Sequence, residues 1–412
     1  MRDLLFLSHR VPYPPNKGDK VRAWHFLQHF AVKRRVHLGC FVDDPRDLAH
    51  VPFLKSLCEG TCFVPLRRRR ALARSLVGLV TRQPMTLPYY RDRRLADWAR
   101  RLQRERDLTV FVYSSSMAQY AIDGRGSARI IDFVDIDSQK WSEYGRNKPW
   151  PFSAVYRREG DALLRTERTI AGEFDASIFV SAAEAGLFKQ LAPESASRVF
   201  SIRLGVDLDY FSSEREYPDP YNGVGGSVLC FTGTMDYWPN VDAVTWFATS
   251  IFPRIRAARP SATFWIVGAN PPRPVRRLAD EPGVFVTGRV PDTRPFLRHA
   301  SAVVAPLRVA RGIQSKVLEA MAMGRPVIAS AQAFEGLMCV PGRDLMVVDT
   351  GDAFVAAVQS VWKGDHADAL GAHARAAVQM YQNWPAQLAA LDALCAAVEA
   401  AQDRPPRVAR AH

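Results

Sequence analysis

Short apolar runs rich in β-branched residues, separated by helix-compatible stretches, recur along almost the whole chain and fall into two series. The first is LLFL (4–7), RVHLGCFV (35–42), LTVFVY (108–113), ARIIDFVDI (128–136), ASIFVS (176–181) and RVFSI (198–202). The second is SVLCFTG (227–233), ATFWIVG (262–268), GVFVTG (283–288), ASAVVAPL (300–307), RPVIAS (325–330) and LMVV (345–348). Runs apolar on both faces predict parallel sheets covered by helices on each side. Between the series lies DLDYFSSEREYPDPYNGVGGS (207–227), whose Pro, Gly and Ser content marks a connection. The expected fold class is α/β, with two doubly wound Rossmann-like domains facing across a cleft: residues 1–210, a linker at 211–226, and residues 227–385. After Pro385, AQLAALDALCAAVEAA predicts a final amphipathic helix over 386–403, and the tail 404–412 is expected to be disordered.

A chain of 412 residues, 48% hydrophobic and 24% charged, can bury two such cores. Its opening apolar run, Leu4 to Leu7, is too short for a signal-peptide core, and no apolar stretch nears the ~20 residues of a membrane span. A cytoplasmic location is therefore expected. The six cysteines are scattered, and only Cys58 and Cys62 lie close, which fits reduced, mostly buried thiols rather than a zinc site. A net charge of +13 raises the question of nucleic acid. The basic residues are not interleaved with aromatics and no nucleic-acid-binding signature appears, so anionic small molecules or an anionic membrane surface fit better.

There is no GxxxxGK[ST] phosphate loop and no GxSxG nucleophile elbow, and the glycine cluster NGVGGS (222–227) precedes a strand instead of following one. The informative stretch is GIQSKVLEAMAMGRPVIAS (312–330), which predicts a helix over 312–323 and then a buried strand. Lys316 falls in the first turn of that helix, where a cation is disfavoured by roughly 0.3–1 kcal/mol, and Arg311 precedes it. A bound anion removes the conflict. Backbone N–H groups at the helix start, with Gly312 allowing close approach, would take a diphosphate. Lys316 and Glu319 share a helix face and read, without a ligand, as an ordinary surface pair. With one, Lys316 faces the anion and Glu319 can accept hydrogen bonds from a ribose diol. Met321 and Met323 read as core filler.

This stretch resembles the nucleotide-sugar signature of glycosyltransferase family 4, a retaining group with the two-domain GT-B fold. Flanking segments agree: FTGTMDYWPNVDAVTWF (231–247), FWIVGANP (264–271), VFVTGRVPD (284–292), GVDLDYF (205–211) and FEG (334–336). PYPPNKGDKVR (12–22) is similar to the family's N-terminal glycine loop. Together with DFVDIDSQKW (132–141), it resembles the exosortase/PEP-CTERM-associated sugar transferases. The resemblance implies that Glu319 binds the donor ribose, that Gly312, Ile313 and Gln314 offer amides to the diphosphate with Lys316 nearby, and that Arg289 and Val290 flank the nucleobase. It places Lys17 and Gly18 in a loop near the transferred sugar, and Gly233 and Thr234 beside the donor.

The chain departs from the family pattern in places. The first of the family's two glutamates, eight apart, is Arg311 here. The basic pair that often follows the first strand of the second domain is replaced by Thr234 and, nearby, Asn240. The histidine common in the N-terminal cleft has no clear match, and YSSS (113–116) stands in that region. Neutralisation of the diphosphate then falls to Lys316 and Arg311, with Lys17 or Arg308 as further candidates.

The DID (135–137) and DLD (207–209) triplets match a metal-binding motif of another glycosyltransferase fold, but they lie away from the predicted nucleotide helix, so no metal or other cofactor is expected. Ser181 to Glu184 has the pattern of a capping box. PLRRRRALARSLVGLVTRQP (65–84) puts Leu72, Leu76 and Leu79 or Val80 on one helical face among Arg67–Arg70 and Arg74. Two readings stay open: a solvated helix packed on its domain, or an interfacial helix on anionic lipid at the inner face of the plasma membrane.

The expected function is a retaining hexosyltransferase. It moves sugar from a UDP- or GDP-type nucleotide sugar to a lipid-linked or saccharide acceptor in exopolysaccharide or glycolipid assembly. A GT-B-fold epimerase and a non-catalytic sugar-nucleotide-binding protein are the alternatives.

Overall fold

The computed structural model describes residues 2–15, 18–81, 83–121, 127–146, 149–221, 227–310, 312–363 and 366–403. Lys17, Arg311, residues 222–226 of the expected linker and the tail 404–412 lie outside the described residues. The chain divides into two compact units, Met1–Arg203 with Gln387–His412, and Leu204–Ala386.

The first unit is built on a parallel sheet of seven strands: β1 Asp3–Ser8, β2 Val36–Val42, β3 Gly60–Pro65, β4 Leu108–Tyr113, β5 Arg129–Val134, β6 Ala176–Phe179 and β7 Val199–Ser201. Their order is β3-β2-β1-β4-β5-β6-β7, and every neighbouring pair is parallel. β1, β2 and β4 are buried at every position, in keeping with their largely apolar sequences. β3 is the strand the apolar pattern does not reveal. It is an edge strand reading GTCFVP, in which only Val64 is buried, and its terminal Pro65 is tolerated because an edge needs no ladder bond there. Phe6 and Phe111 stack with centroids 5.3 Å apart, and Phe30 of the helix Gly18–Lys33 packs 5.3 Å from Phe111. These large rings fix that helix across the sheet.

The second unit has a six-stranded parallel sheet: β8 Val228–Thr232, β9 Thr263–Val267, β10 Val284–Gly288, β11 Ala302–Ala305, β12 Val327–Ala329 and β13 Met346–Val347, ordered β10-β9-β8-β11-β12-β13. Residues 207–221 run packed on this unit. Asp207 Oδ1 accepts from the N–H groups of Asp209 and Tyr210, and the buried Tyr221 donates its hydroxyl to Phe296 O at 2.6 Å.

The last helix, Trp384–Gln402, begins with Pro385 in its first turn, where a missing N–H costs nothing. From Gln387 onward it belongs to the first unit. Asp392 pairs with His29 at 2.9 Å and with Lys33, Glu399 pairs with Arg34 at 2.6 Å, and Leu391 and Cys395 are fully buried. All six cysteines are free thiols, four of them buried, as scattered spacing implies.

Residues 65–84 do not form the single helix that the leucine spacing predicts. Two short helices, Arg68–Ser75 and Val77–Thr81, meet at Leu76. Ala71 and Ser75 face inward, while Leu72 and Leu76 are 59% and 56% exposed. The segment packs on its domain through small residues, and the large apolar ones face outward.

Candidate functional site

In an open parallel sheet, ligands sit beyond the carboxyl ends of the strands, where the strand order reverses. In the second unit that place is between β8, which runs beside β9 on one side, and β11 on the other. β8 leads into Gly233 and Thr234. β11 leads through Arg308 and Gly312 into the helix Ser315–Ala322. Gly312 has φ +68°, a conformation open to glycine, and it turns the chain into the helix. Gln314 stands at the cap position without a side-chain bond to the helix, its Nε2 donating back to Gly312 O at 3.2 Å. The first-turn N–H groups of a helix are a general anion-binding feature. Gly268, after β9, lies so close to Gly233 that a Cβ there would stand 1.7 Å from Gly233 O. That approach fixes the turn carrying Thr234.

Lys316 and Glu319 both remain only partly exposed, one helical turn apart. Burial lowers the Lys316 ammonium to about 7, against the raising effect of Glu319. Burial likewise raises the Glu319 carboxyl to about 7, against the lowering effect of Lys316. Such a pair is poised to change protonation when a charged or hydrogen-bonding ligand arrives. Lys316 Nζ donates to Asn240 Oδ1 at 2.5 Å and lies 4.7 Å from the centre of the Phe231 ring. Asn240 Nδ2 in turn donates to Thr234 O at 2.8 Å. The structure thus joins Thr234, Asn240 and Lys316 in one chain of contacts, where the sequence had marked Asn240 only as a replacement.

Arg289 and Val290 follow β10, two strands from β8, with Arg289 exposed. Ile313 and Gln314 are partly exposed at the helix start. Arg308 is held elsewhere: its guanidinium forks onto Asp242, with Nε 2.9 Å from Oδ2, and lies over Trp246. Arg308 is therefore already neutralised. Burial raises the Tyr210 hydroxyl, with a further raising effect of the Glu319 charge, and Arg294 lies 3.7 Å over the Tyr210 ring while forking onto Asp292.

The first unit has a polar cluster of its own at the corresponding place, between β1 and β4. His9 Nε2 is 3.4 Å from Asp19 Oδ2, and Arg10 Nη1 is 3.0 Å from the same oxygen. The His9 ring lies parallel to Tyr113 at 6.0 Å and edge-on to Tyr90 at 5.9 Å, and the Tyr113 hydroxyl donates to Asp19 O at 2.7 Å. Burial alone would raise the Asp19 carboxyl, but the hydrogen bond to His9 and the charge of Arg10 hold it well below the usual carboxylate range. Gly18 opens the helix that carries Asp19. Sequence reading missed His9, Arg10 and Asp19. The signal was available, since His9 and Arg10 stand directly after the first apolar run, where strand-end residues of such sheets gather.

Asp135 and Asp137 share Lys140, at 2.7 and 3.6 Å, and no group of three metal-ligating side chains occurs among the described residues. Ser181 Oγ accepts from Glu184 N at 3.1 Å, the cap expected of this segment, while the Glu184 carboxylate also accepts from Ile136 N.

Residues 226–363, most of the second unit, match the family model described as "Glycosyl transferases group 1". No curated protein matches the chain. Among solved structures, sucrose-phosphate synthase from Thermosynechococcus elongatus superposes with a TM-score of 0.71 at 17% identity, covering 97% of this chain and 100% of that one. HepE of Anabaena in complex with UDP-glucose gives 0.66 at 14%, covering 96% and 100%. WaaG, a glycosyltransferase involved in lipopolysaccharide biosynthesis, gives 0.61 at 14%, covering 95% and 99%. The chain thus has the GT-B fold of two Rossmann-like domains, and its second unit carries the segment of the group 1 glycosyl transferases.

Proposed function

We propose that this protein is a retaining glycosyltransferase of family 4 type. It takes a hexose from a UDP- or GDP-type donor and passes it to an acceptor hydroxyl in exopolysaccharide or glycolipid assembly, at the cytoplasmic side of the membrane. One observation carries the reading: Lys316 and Glu319 stand one turn apart on the helix Ser315–Ala322, at the strand-order reversal of a sheet whose segment matches the group 1 glycosyl transferases. As the glycosidic bond breaks, charge gathers on the leaving diphosphate. Fixed N–H groups near Gly312–Gln314 and the Lys316 ammonium stabilise that charge, and Glu319 takes the ribose hydroxyls. No metal is required by this arrangement.

The acceptor side belongs to the first unit, where His9, Arg10, Asp19 and Tyr113 offer donors and acceptors suited to a polyol. Its outer surface supports a bilayer contact. Residues 60–91 contain no Asp or Glu but seven arginines, six of them described, around the exposed Leu72, Leu76 and Val77. Arg158 and Glu159 of the helix Phe152–Glu173 bind Gly78 O and Met85 N. These bonds tie that helix to the same segment, and Trp150 and Phe152 near its start are 81% and 60% exposed. Apolar side chains rimmed by arginine match an anionic lipid interface.

The test is turnover of UDP- and GDP-sugars with Lys316→Met beside the parent. Release of nucleoside diphosphate, with a fall in kcat of about 10²–10³ in the variant and a smaller change in donor affinity, supports transfer at this site. Nucleotide binding with no turnover would make the protein a sugar-nucleotide binder, and an altered sugar without an acceptor would make it an epimerase.

A further inference from the structure

Asn240 is the second residue of the site that the chemistry demands and the motif does not name. It is buried to 3% exposure at the start of the helix Trp238–Trp246. Its carboxamide orientation is settled by its neighbours: Thr234 O can only accept and the Lys316 ammonium can only donate, so Nδ2 faces the first at 2.8 Å and Oδ1 the second at 2.5 Å. An ammonium has three N–H donors. Asn240 takes one, and the Phe231 ring centre lies 4.7 Å from the ammonium.

We propose that Asn240 is a positioning residue that holds Lys316 as a cation, fixing the ammonium with an uncharged acceptor that does not cancel its charge. An aspartate there would neutralise Lys316, and an apolar residue would leave the ammonium without its acceptor. This rests on the transfer reading for its purpose, because a positive charge at the head of this helix serves a departing diphosphate.

Among the described residues, Asn240 Oδ1 accepts from the ammonium and Glu319 acts on it through its charge. Glu319 is on the same helix, and its charge also acts on Tyr210. Asp242, on the Asn240 helix, is engaged by Arg308 from the segment after β11. Asp236, before that helix, accepts from Asn270 at 3.0 Å. β8 presents the uncharged Phe231. Arg311 lies outside the described residues. Burial depresses the ammonium, so the lost hydrogen bond should depress it further.

The experiment is a pH titration of the full chain labelled with 13C-lysine, following the Lys316 Cε resonance, assigned by its absence in Lys316→Met. Asn240→Ala should move its midpoint down by about one pH unit or more, and Asn240→Asp should move it up. Both variants lose donation to Thr234 O, so a residue that only shaped the Thr234 turn would move the midpoint equally in both, or not at all. Either of those results overturns the proposal. If Asn240→Ala does not fold, Asn240→Asp decides alone: a raised midpoint supports the proposal and an unraised one overturns it. The titration needs no substrate. A parent protein with no turnover of nucleotide sugar would therefore overturn the transfer reading and leave the Asn240 result standing.

Discussion

Arg22 Nε and Asp132 Oδ2, 110 residues apart in sequence, form an ion pair of 2.7 Å in which neither side chain is more than 1% exposed. The pair ties the helix Gly18–Lys33 to the end of β5, and so sets the helix that carries Asp19 against the strand ends of the first unit. Arg22 also donates to Arg203 O at 3.1 Å and lies 4.6 Å over Phe26, and Asp132 Oδ1 accepts from Val134 N. Burial pushes the Asp132 carboxyl up while Arg22 pulls it down. Removing one partner strands the other, so Arg22→Met should destabilise the first unit by about 3–5 kcal/mol in chemical denaturation. The double variant Arg22→Met with Asp132→Leu should recover much of that loss, since it buries no lone charge. A double variant as weak as the single one would show that the pair does more than satisfy itself.

The proposed lipid contact predicts a loss of vesicle binding. Replacing Leu72, Leu76 and Trp150 with serine should reduce co-sedimentation with vesicles containing phosphatidylglycerol. The fold should remain intact, because these side chains are exposed in the folded protein. Neutralising Arg67–Arg70 should weaken the same binding by about 1 kcal/mol per charge, and added salt should weaken it further. Equal binding to neutral vesicles would argue against the electrostatic part, and no binding by the parent would end the proposal.

His9 is predicted to act on the acceptor side. His9→Ala should lower kcat/KM for the acceptor by roughly ten-fold or more, the cost of one or two hydrogen bonds involving charged groups, while donor affinity stays unchanged. Measuring nucleotide-sugar affinity by calorimetry beside acceptor kinetics separates the two. A drop in donor affinity alone would place His9 outside the acceptor's reach.

The parallel sheets were legible because buried strands must be apolar on both faces, and LLFL or LTVFVY leaves little else to become. β3 was not, since an edge strand may carry Gly, Thr and Pro without penalty. The helix with Lys316 and Glu319 could be read from its glycine-bounded pattern, and the cation in its first turn marked it as a candidate anion site. Its partner Asn240 could not, because 76 residues separate them and a carboxamide has no charge to betray a role. The helical break at Leu76 was hidden by a leucine spacing that continues across it. There the inward contact is made by Ala71 and Ser75, residues too small to leave a hydrophobic pattern.

Lys316 and Glu319 predict opposite pH dependences of donor binding that mask each other in the parent. UDP-glucose is a suitable probe, because its diphosphate is esterified at both ends and does not titrate near neutrality. Without ligand, burial places both residues near 7. A diphosphate beside Lys316 favours the ammonium, so its binding draws a proton in and weakens as pH rises through the Lys316 value. Ribose hydroxyls donating to Glu319 favour the carboxylate, so that contact releases a proton and strengthens as pH rises through the Glu319 value. In Glu319→Gln only the first effect remains, and the Lys316 value falls further because the raising influence of Glu319 is gone. Affinity should then decline with increasing pH, approaching about ten-fold per unit above that value. In Lys316→Met only the second remains, with the Glu319 value moved higher, and affinity should improve with increasing pH. Calorimetry of each variant in buffers of differing ionisation enthalpy reads proton uptake in one and release in the other. If both variants show the same sign, one of the two residues does not face the donor in the way proposed.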